Sequence, residues 1–209
     1  MSLTNKPVNE FLGELASASP ALGGGSVAAL SGALGAALVS MVCNLTIGRK
    51  KYAAVEAEMR GILAQSEALR EQLTQLLEAD VAAFTQVSEA MKLPRDTEEQ
   101  KATRTAQLQT ALKHATAVPM RIAEACVKVI DLCKPVAEMG NANAVSDAGV
   151  AVLAAESGLR AAALNVMINL AWLDDEAFVT EQDQKLRQLL ENKAGIKEDV
   201  YELVASKLG

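Results

Sequence analysis

The distribution of charged and apolar residues divides the chain into nearly uncharged segments and long amphipathic ones. Residues 15–48 contain no charged side chain, and residues 26–47 consist almost entirely of small and apolar residues. A helix that is apolar all round is either buried in a protein or crosses a membrane, and this one is long enough to do either. Because four polar residues interrupt it and the next apolar region, 142–173, carries three charges, we predict a buried helix and no membrane contact.

The remaining segments all have helical rather than strand-like spacing. We expect a short helix over residues 7–18, a long amphipathic helix over about 50–91 with a weak point at Gly61, and a break at 92–96. Thr97 and Gln100 have the spacing of a capping box for the next helix. Pro119 is expected to kink or divide that helix before it continues to residue 133, and Pro135 to start a separate short turn.

The second apolar helix is expected over residues 146–173, capped by Ser146 or Asn143. Asp174 and Asp175 end it and precede one last, more polar helix. The sequence therefore predicts an all-α, single-domain helical bundle over residues 1–209, with two adjacent buried central helices rich in small residues. Small side chains permit the close approach of these two helices.

Composition narrows the possible partners and compartments. The net charge is −6 and no basic stripe is apparent, which argues against a nucleic-acid partner. Cys43, Cys126 and Cys133 lack metal-ligand or disulfide spacing and are expected to be reduced core residues. His114, the single histidine, is expected to be solvated, and no metal site is predicted. No targeting segment is evident, so the expected location is the cytoplasm.

Asp80 is the residue that departs most clearly from the helical pattern. Desolvation of a carboxylate on a core-facing stripe raises its pKa toward the range of a general base. The alternative is a structural carboxylate that pairs with Arg or caps another helix. The stripe on which it lies consists of Leu69, Leu73, Leu76, Asp80, Phe84, Val87 and Met91.

Two further features suggest binding of an anion. Gly23, Gly24, Gly25 and Ser26 precede a helix N-terminus, where backbone N–H groups attract negative charge. The alternative is a flexible turn. At the far end of the same helix lies the basic cluster 49–51, whose simpler interpretation is stabilisation of the helix C-terminus.

The second apolar helix carries two amides one turn apart, Asn165 and Asn169, and small residues lead back along the same face to Asp147. That face leaves room for a ligand or for a second helix. Buried amides must be hydrogen-bonded, so these two bind either substrate or another helix.

Several motifs, in order, resemble the cyclodeaminase/cyclohydrolase family of folate enzymes from about residue 11 to residue 178. They lie at 23–26, 41–52, 93–95 with Arg104, 140–141, 146–150 and 165–169. The sequence of residues 43–52 and 146–165 resembles stand-alone methenyltetrahydrofolate cyclohydrolases more than the cyclodeaminase half of formiminotransferase-cyclodeaminase. The resemblance implies that Asp80 is the catalytic carboxylate. It also implies a substrate-binding set of Gly23, Gly24, Gly25, Ser26, Arg49, Lys50, Arg104, Asn141, Ser146, Asp147, Asn165 and Asn169.

The function that this resemblance implies is hydrolysis of 5,10-methenyltetrahydrofolate to 10-formyltetrahydrofolate. The alternatives are formiminotetrahydrofolate cyclodeaminase and, from another class, a non-catalytic helical scaffold with a salt-bridged Asp80 and no adjoining cavity. The expected partners are a folate substrate and a second copy of the chain. The substrate is expected to be polyglutamylated and held at its tail by Arg49, Lys50 or Arg104. The second copy is expected to form a homodimer, with the long helix over residues 50–91 contributing to its interface. The amides of Asn165 and Asn169 are expected to bind the pterin. No cofactor is expected.

Overall fold

The computed structural model describes residues 3–18 and 22–209, and among these residues it contains helices and no strand. This confirms the predicted all-α class. The α-helices are α1 (Val8–Leu15), α2 (Gly24–Thr46), α3 (Glu56–Met91), α4 (Glu98–Met139), α5 (Val145–Leu170), α6 (Glu176–Leu190) and α7 (Lys193–Leu208). Short 3-10 helices cover Leu3–Asn5, Lys50–Val55 and Ala142–Ala144.

Helix α2 is the centre of the bundle and packs against α3, α4 and α5. It runs antiparallel to α5, and glycines bring the two backbones together. A Cβ atom on Gly158 would lie 2.8 Å from the carbonyl oxygen of Ala28, and one on Gly35 would lie 2.9 Å from that of Ala151. The buried Sγ of Cys126 on α4 lies beside both Gly32 and Gly158. The two predicted central helices are therefore adjacent because each lacks side-chain bulk at the crossing.

Two helical segments of the described chain are long and apolar enough to cross a membrane, Gly24–Thr46 and Ala142–Leu170. In the bundle, 61% of the most apolar 18-residue stretch of the first segment is buried. For the second segment the buried share is 44%. Core helices of soluble proteins pass the same test of length and hydropathy. The lower value for the second segment reflects apolar side chains of α5 that no other element covers.

Helix α4 runs unbroken through Pro119 and Pro135, so Pro119 does not divide it and the separate turn predicted at Pro135 is wrong. A proline removes one backbone donor and displaces the carbonyl four residues earlier. For Pro119 that carbonyl belongs to Ala115, and it accepts a 2.7 Å hydrogen bond from Nδ2 of Asn169 on α5. The side chain replaces the missing backbone donor from outside the helix.

Several predicted boundaries also change. Gly24, Gly25 and Ser26 form the first turn of α2 rather than a loop before it. Residues 50–55 form a 3-10 turn before α3, and Gly61 does not interrupt that helix. Neither Ser146 nor Asn143 caps α5. The predicted last helix is two helices, divided at Asn192, whose φ of 59° is left-handed.

Other local predictions are confirmed. Thr97 and Gln100 form the capping box of α4. Asp175 caps α6 by accepting a hydrogen bond from the N–H of Phe178. All three cysteines are free and buried, and burial raises the pKa of Cys126 to about 12.

Candidate active site

A cavity of about 310 Å³ lies where the N-terminal end of α2 meets α3, α4 and the C-terminal end of α5. The glycines and polar side chains that line it are Gly23, Gly24, Gly25, Asp80, Asn165 and Asn169, together with Trp172, whose indole N–H is a donor. The structure thus brings together predicted site residues that are up to 146 positions apart in sequence, from residue 23 to residue 169.

Asp80 projects from α3 against the first turn of α2. The hydroxyl of Ser26 donates to Oδ2 of Asp80 at 3.1 Å. Desolvation by burial raises the pKa of the Asp80 carboxyl, while the Ser26 side chain and backbone N–H act in the opposite direction. Among the described residues the carboxylate has no ion-pair partner. A half-buried, unpaired carboxylate of this kind can accept a proton.

Gly25 allows the carboxylate to lie this close to α2. A Cβ atom at position 25 would overlap the terminal atoms of the Asp80 side chain. A Cβ atom at the neighbouring Gly24 would lie 3.1 Å from Nδ2 of Asn165. The two glycines therefore let side chains from α3 and α5 approach the helix N-terminus, where the first N–H groups have no partner within the helix.

The two amides are held by backbone carbonyls rather than by each other. Nδ2 of Asn165 donates to the carbonyl of Ala161, one turn earlier in α5, at 2.8 Å. Nδ2 of Asn169 donates to Ala115 across the α4–α5 contact. One of the two N–H groups of each amide is thus engaged, and each Oδ1 is the atom that can accept a hydrogen bond in the cavity.

An apolar rim of the cavity was not predicted from the sequence. Phe84, which the pattern assigns to the core, is 42% exposed, and Trp172 is 57% exposed. The only signal in the sequence was rarity, because Trp172 is the single tryptophan of a chain that is 3% aromatic. The remaining apolar wall is formed by Ala83, Val87, Met91, Leu112, Ala115 and Ile168.

Five of the other candidate binding residues lie at the opposite end of the α2–α5 pair: Arg49, Lys50, Asn141, Ser146 and Asp147. Arg49 and Lys50 follow the C-terminus of α2, a 23-residue helix about 35 Å long. Ser146 and Asp147 lie in the first turn of α5, which starts at that same end. Within one copy of the chain these residues do not reach the cavity.

Asn141 has a structural role at this remote end. Its N–H donates to Oγ1 of Thr46 at 2.8 Å, and its Nδ2 donates to the carbonyl of Leu45 at 2.9 Å. Its Oδ1 accepts from the N–H of Asn143. The hydroxyl of Tyr52 accepts from the N–H of Ala142 at 3.0 Å. These bonds tie the α4–α5 connection to the end of α2.

Arg104 does not line the cavity, but it is bonded to a residue that does. Its guanidinium donates twice to the carbonyl oxygen of Met91, through Nε at 3.2 Å and Nη2 at 3.1 Å. Met91 is the last residue of α3 and lines the cavity. Arg104 therefore stabilises the end of α3 and places a positive charge near the cavity. His114 is exposed and pairs with Oε1 of Gln86 at 3.0 Å, outside this cavity.

Comparison with known proteins defines the class. The family model described as formiminotransferase-cyclodeaminase matches residues 7–188. The chain belongs to this family, which confirms the predicted resemblance.

Individual relatives match over most of the chain. A methenyltetrahydrofolate cyclohydrolase of Methylorubrum extorquens is 53% identical over 98% of both chains. A formimidoyltransferase-cyclodeaminase of Sus scrofa is 42% identical over 91% of this chain but only 35% of its own length. The crystal structure of formiminotetrahydrofolate cyclodeaminase from Thermotoga maritima superposes with a TM-score of 0.89 at 30% identity, covering 99% of this chain and all of that one.

Proposed function

We propose that the protein is a methenyltetrahydrofolate cyclohydrolase that uses Asp80 as its general base. The observation that carries this proposal is the half-buried, unpaired carboxylate of Asp80 at a cavity beside a helix N-terminus. A scaffold would instead have a salt-bridged Asp80 and no adjoining cavity. The similarity to the Methylorubrum cyclohydrolase over 98% of both chains supports this activity.

The reaction can proceed by proton transfers at one carbon. Water adds to the carbon that bridges N5 and N10 of the methenyl substrate, and Asp80 takes a proton from that water. Asp80 then returns the proton to N5 as the C–N5 bond breaks, and the hydroxyl proton of the adduct leaves as the formyl C=O forms. One proton is released overall. The substrate's amidinium already carries positive charge, so the step needs no cofactor.

The cavity has groups that suit a pterin. Its exposed aromatic and apolar rim, which includes Phe84, Ile168 and Trp172, can cover the faces of a flat ring. The N–H groups of Gly24 and Gly25 are donors, and the Oδ1 atoms of Asn165 and Asn169 are acceptors. A positively charged substrate also gains from the adjacent Asp80 carboxylate.

Cyclodeamination is the second candidate, because the crystal structure of the Thermotoga cyclodeaminase matches this fold over 99% of the chain. In that reaction N10 attacks the formimino carbon and ammonia leaves, so the same base could serve. Purified protein should be assayed separately with 5,10-methenyl- and 5-formiminotetrahydrofolate. Hydrolysis of the first without ammonia release from the second supports the cyclohydrolase, and ammonia release alone would assign the cyclodeaminase.

We also propose a homodimer formed through the outward faces of α2 and α5. Helix α2 has no charged residue, whereas exposed positions of α3, which the sequence favoured as an interface, carry Glu58, Arg60 and Arg70. A second copy suits this surface better than a bilayer, because α5 carries the ion pair between Glu156 and Arg160. The exposed apolar residues of the two helices are Leu34, Met41, Leu45, Val150, Leu153, Leu164, Met167 and Ile168.

The test of this interface is sedimentation of Leu34→Glu at micromolar concentration. Leu34 is 54% exposed, and the matched control is Val8→Glu, because Val8 is 74% exposed on α1. Dissociation of the Leu34 variant alone supports the proposal. A monomeric parent protein, or a dimer that Leu34→Glu leaves intact, contradicts it.

The dimer also bears on the glutamate tail of the substrate. Within one copy, Arg104 is the predicted tail residue that contacts the cavity wall, through its bonds to the carbonyl of Met91. A two-fold axis across the middle of α2 would bring the partner's copy of the cluster 49–51 toward the cavity.

We therefore propose that Arg104 holds the first part of a polyglutamate tail, and that Arg49 and Lys50 act only across the dimer. Kinetics of Arg104→Ala and Lys50→Ala with mono- and polyglutamylated substrate test this assignment, which unchanged KM values in both variants would contradict.

A further inference from the structure

Pro119 and Asn169 form a unit that spans two helices at the wall of the cavity. A residue at position 119 of a continuous helix would normally donate its N–H to the carbonyl of Ala115, but proline has no N–H. The proline ring also pushes that carbonyl away from the helix axis. The displaced oxygen accepts the Nδ2 hydrogen bond of Asn169 at 2.7 Å.

This hydrogen bond fixes the orientation of the Asn169 amide. The nitrogen must face the Ala115 carbonyl, because an amide oxygen there would oppose another acceptor. Oδ1, which has no partner among the described residues, is the acceptor left for a ligand. Both Ala115 and Asn169 line the cavity, so the constraint acts at the binding site itself.

Asn165 offers a useful contrast. Its Nδ2 donates to Ala161, a carbonyl of its own helix that lies four residues earlier and has the Asn165 backbone N–H as its regular helical partner. That side-chain bond is therefore supplementary. Asn169 instead supplies the donor that Ala115 lost to proline, so its orientation depends on a residue in another helix.

We propose that Pro119 is a positioning residue for substrate recognition: by freeing the Ala115 carbonyl it holds Asn169 with Oδ1 presented as an acceptor for an N–H group of the pterin. This inference rests on the proposed function, because the pterin is the ligand of the cavity. It assigns a binding role to a residue whose own side chain has no polar atom.

The experiment measures how tightly tetrahydrofolate binds, as a Kd, to the parent protein and to three variants. These are Pro119→Ala, Asn169→Ala and the double variant. Pro119→Ala restores the backbone N–H, so Ala115 turns back along the helix and Asn169 is released. We expect Kd to rise about three- to ten-fold in each single variant, the range of one hydrogen bond. The double variant should bind no more weakly than Asn169→Ala alone. Pro135→Ala is the matched control, since Pro135 is the other proline inside α4 and lies outside the cavity lining.

An independent readout separates this inference from the proposed function. In protein labelled with 15N-asparagine, the NMR signal of the Asn169 side-chain amide is assigned by its loss in Asn169→Ala. We expect the hydrogens of this amide to exchange with solvent faster in Pro119→Ala than in the parent protein. In Pro135→Ala they should exchange at the parent rate. Three results would each overturn the positioning role. They are an unchanged exchange rate in Pro119→Ala, an unchanged Kd in that variant, and losses of affinity that add in the double variant. A parent protein that binds no tetrahydrofolate but shows the exchange effect would contradict the proposed function and its pterin ligand, while leaving the Pro119–Asn169 coupling established.

Discussion

Gly25 and Asp80 occupy complementary space, because the Asp80 carboxylate fills the position that a side chain at residue 25 would take. This contact joins α3 to the N-terminus of α2 and places the carboxylate beside the Ser26 donors. The absence of a single Cβ atom thus determines where the proposed base lies.

Gly25→Ala should abolish most activity while the protein remains folded. The added methyl displaces the end of a flexible side chain rather than a backbone atom, so the fold can adjust while the carboxylate loses its place. We expect turnover to fall by at least about 100-fold, the usual minimum for loss of a general base. The control is Gly61→Ala in α3, where nothing lies within 4 Å of the new Cβ. Parent-like turnover in Gly25→Ala, with the fold verified by circular dichroism, would refute this relationship.

Gly158→Ala should instead lower stability. Its Cβ would lie 2.8 Å from the backbone oxygen of Ala28 and 3.0 Å from the backbone nitrogen of Gly32, and neither atom can move without shifting α2. We expect a loss of about 1–3 kcal/mol in the free energy of unfolding, typical of overpacking. Gly61→Ala should gain about 0.5–1 kcal/mol, because alanine is the better helix former. Urea denaturation compares the two, and equal stabilities would argue against the close α2–α5 crossing.

The sequence predicts the outline of this site but not its connections. The step from Leu76 to Asp80 to Phe84 identifies Asp80 from helical spacing alone. The distance of Arg49 from the cavity also follows from the length of α2. By contrast, the partner of Asn169 is a carbonyl 54 residues away, freed by a proline that the local pattern interprets as a break. Such a relationship depends on how α4 and α5 pack, which no local pattern encodes.

The glycines illustrate the same limit. Three consecutive glycines have low helix propensity and favour a loop, whereas tertiary contacts place Gly24 and Gly25 in the first turn of a helix. Their importance comes from Asp80 and Asn165, which approach from distant segments. Phe84 is likewise exposed because the cavity interrupts the packing that a continuous apolar stripe predicts.

Asp80→Asn should change stability in a pH-dependent way. Burial raises the folded-state pKa of Asp80 above its unfolded value, so the native state holds this proton more tightly. The stabilising contribution of Asp80 to the free energy of unfolding is complete at pH values below its unfolded-state pKa. It is lost as the pH rises through the folded-state pKa. The asparagine variant should therefore be more stable than the parent at neutral pH, and the difference should shrink toward pH 3. Urea midpoints across this range measure it, and a variant that is less stable at neutral pH would contradict the sign.

Ser26→Ala should move the acid limb of the kcat profile to higher pH. The Ser26 hydroxyl hydrogen bond lowers the pKa of Asp80, so its removal leaves desolvation less opposed. The deprotonated base then forms only at higher pH, while activity on the alkaline plateau changes little. Ser40→Ala is the control, because Ser40 is also buried on α2 but bonds Ser66. A limb that moves to lower pH, or moves equally in the control, would conflict with the assigned contact.

The most direct test of the account is the turnover of Asp80→Asn with 5,10-methenyltetrahydrofolate, measured at saturating substrate in protein shown to be folded. Asparagine keeps the size and hydrogen-bonding oxygen of the side chain but cannot take up the proton. Asp80 as the general base predicts a fall in kcat of about 100-fold or more. A variant that keeps more than about a tenth of the parent turnover would contradict this role for Asp80.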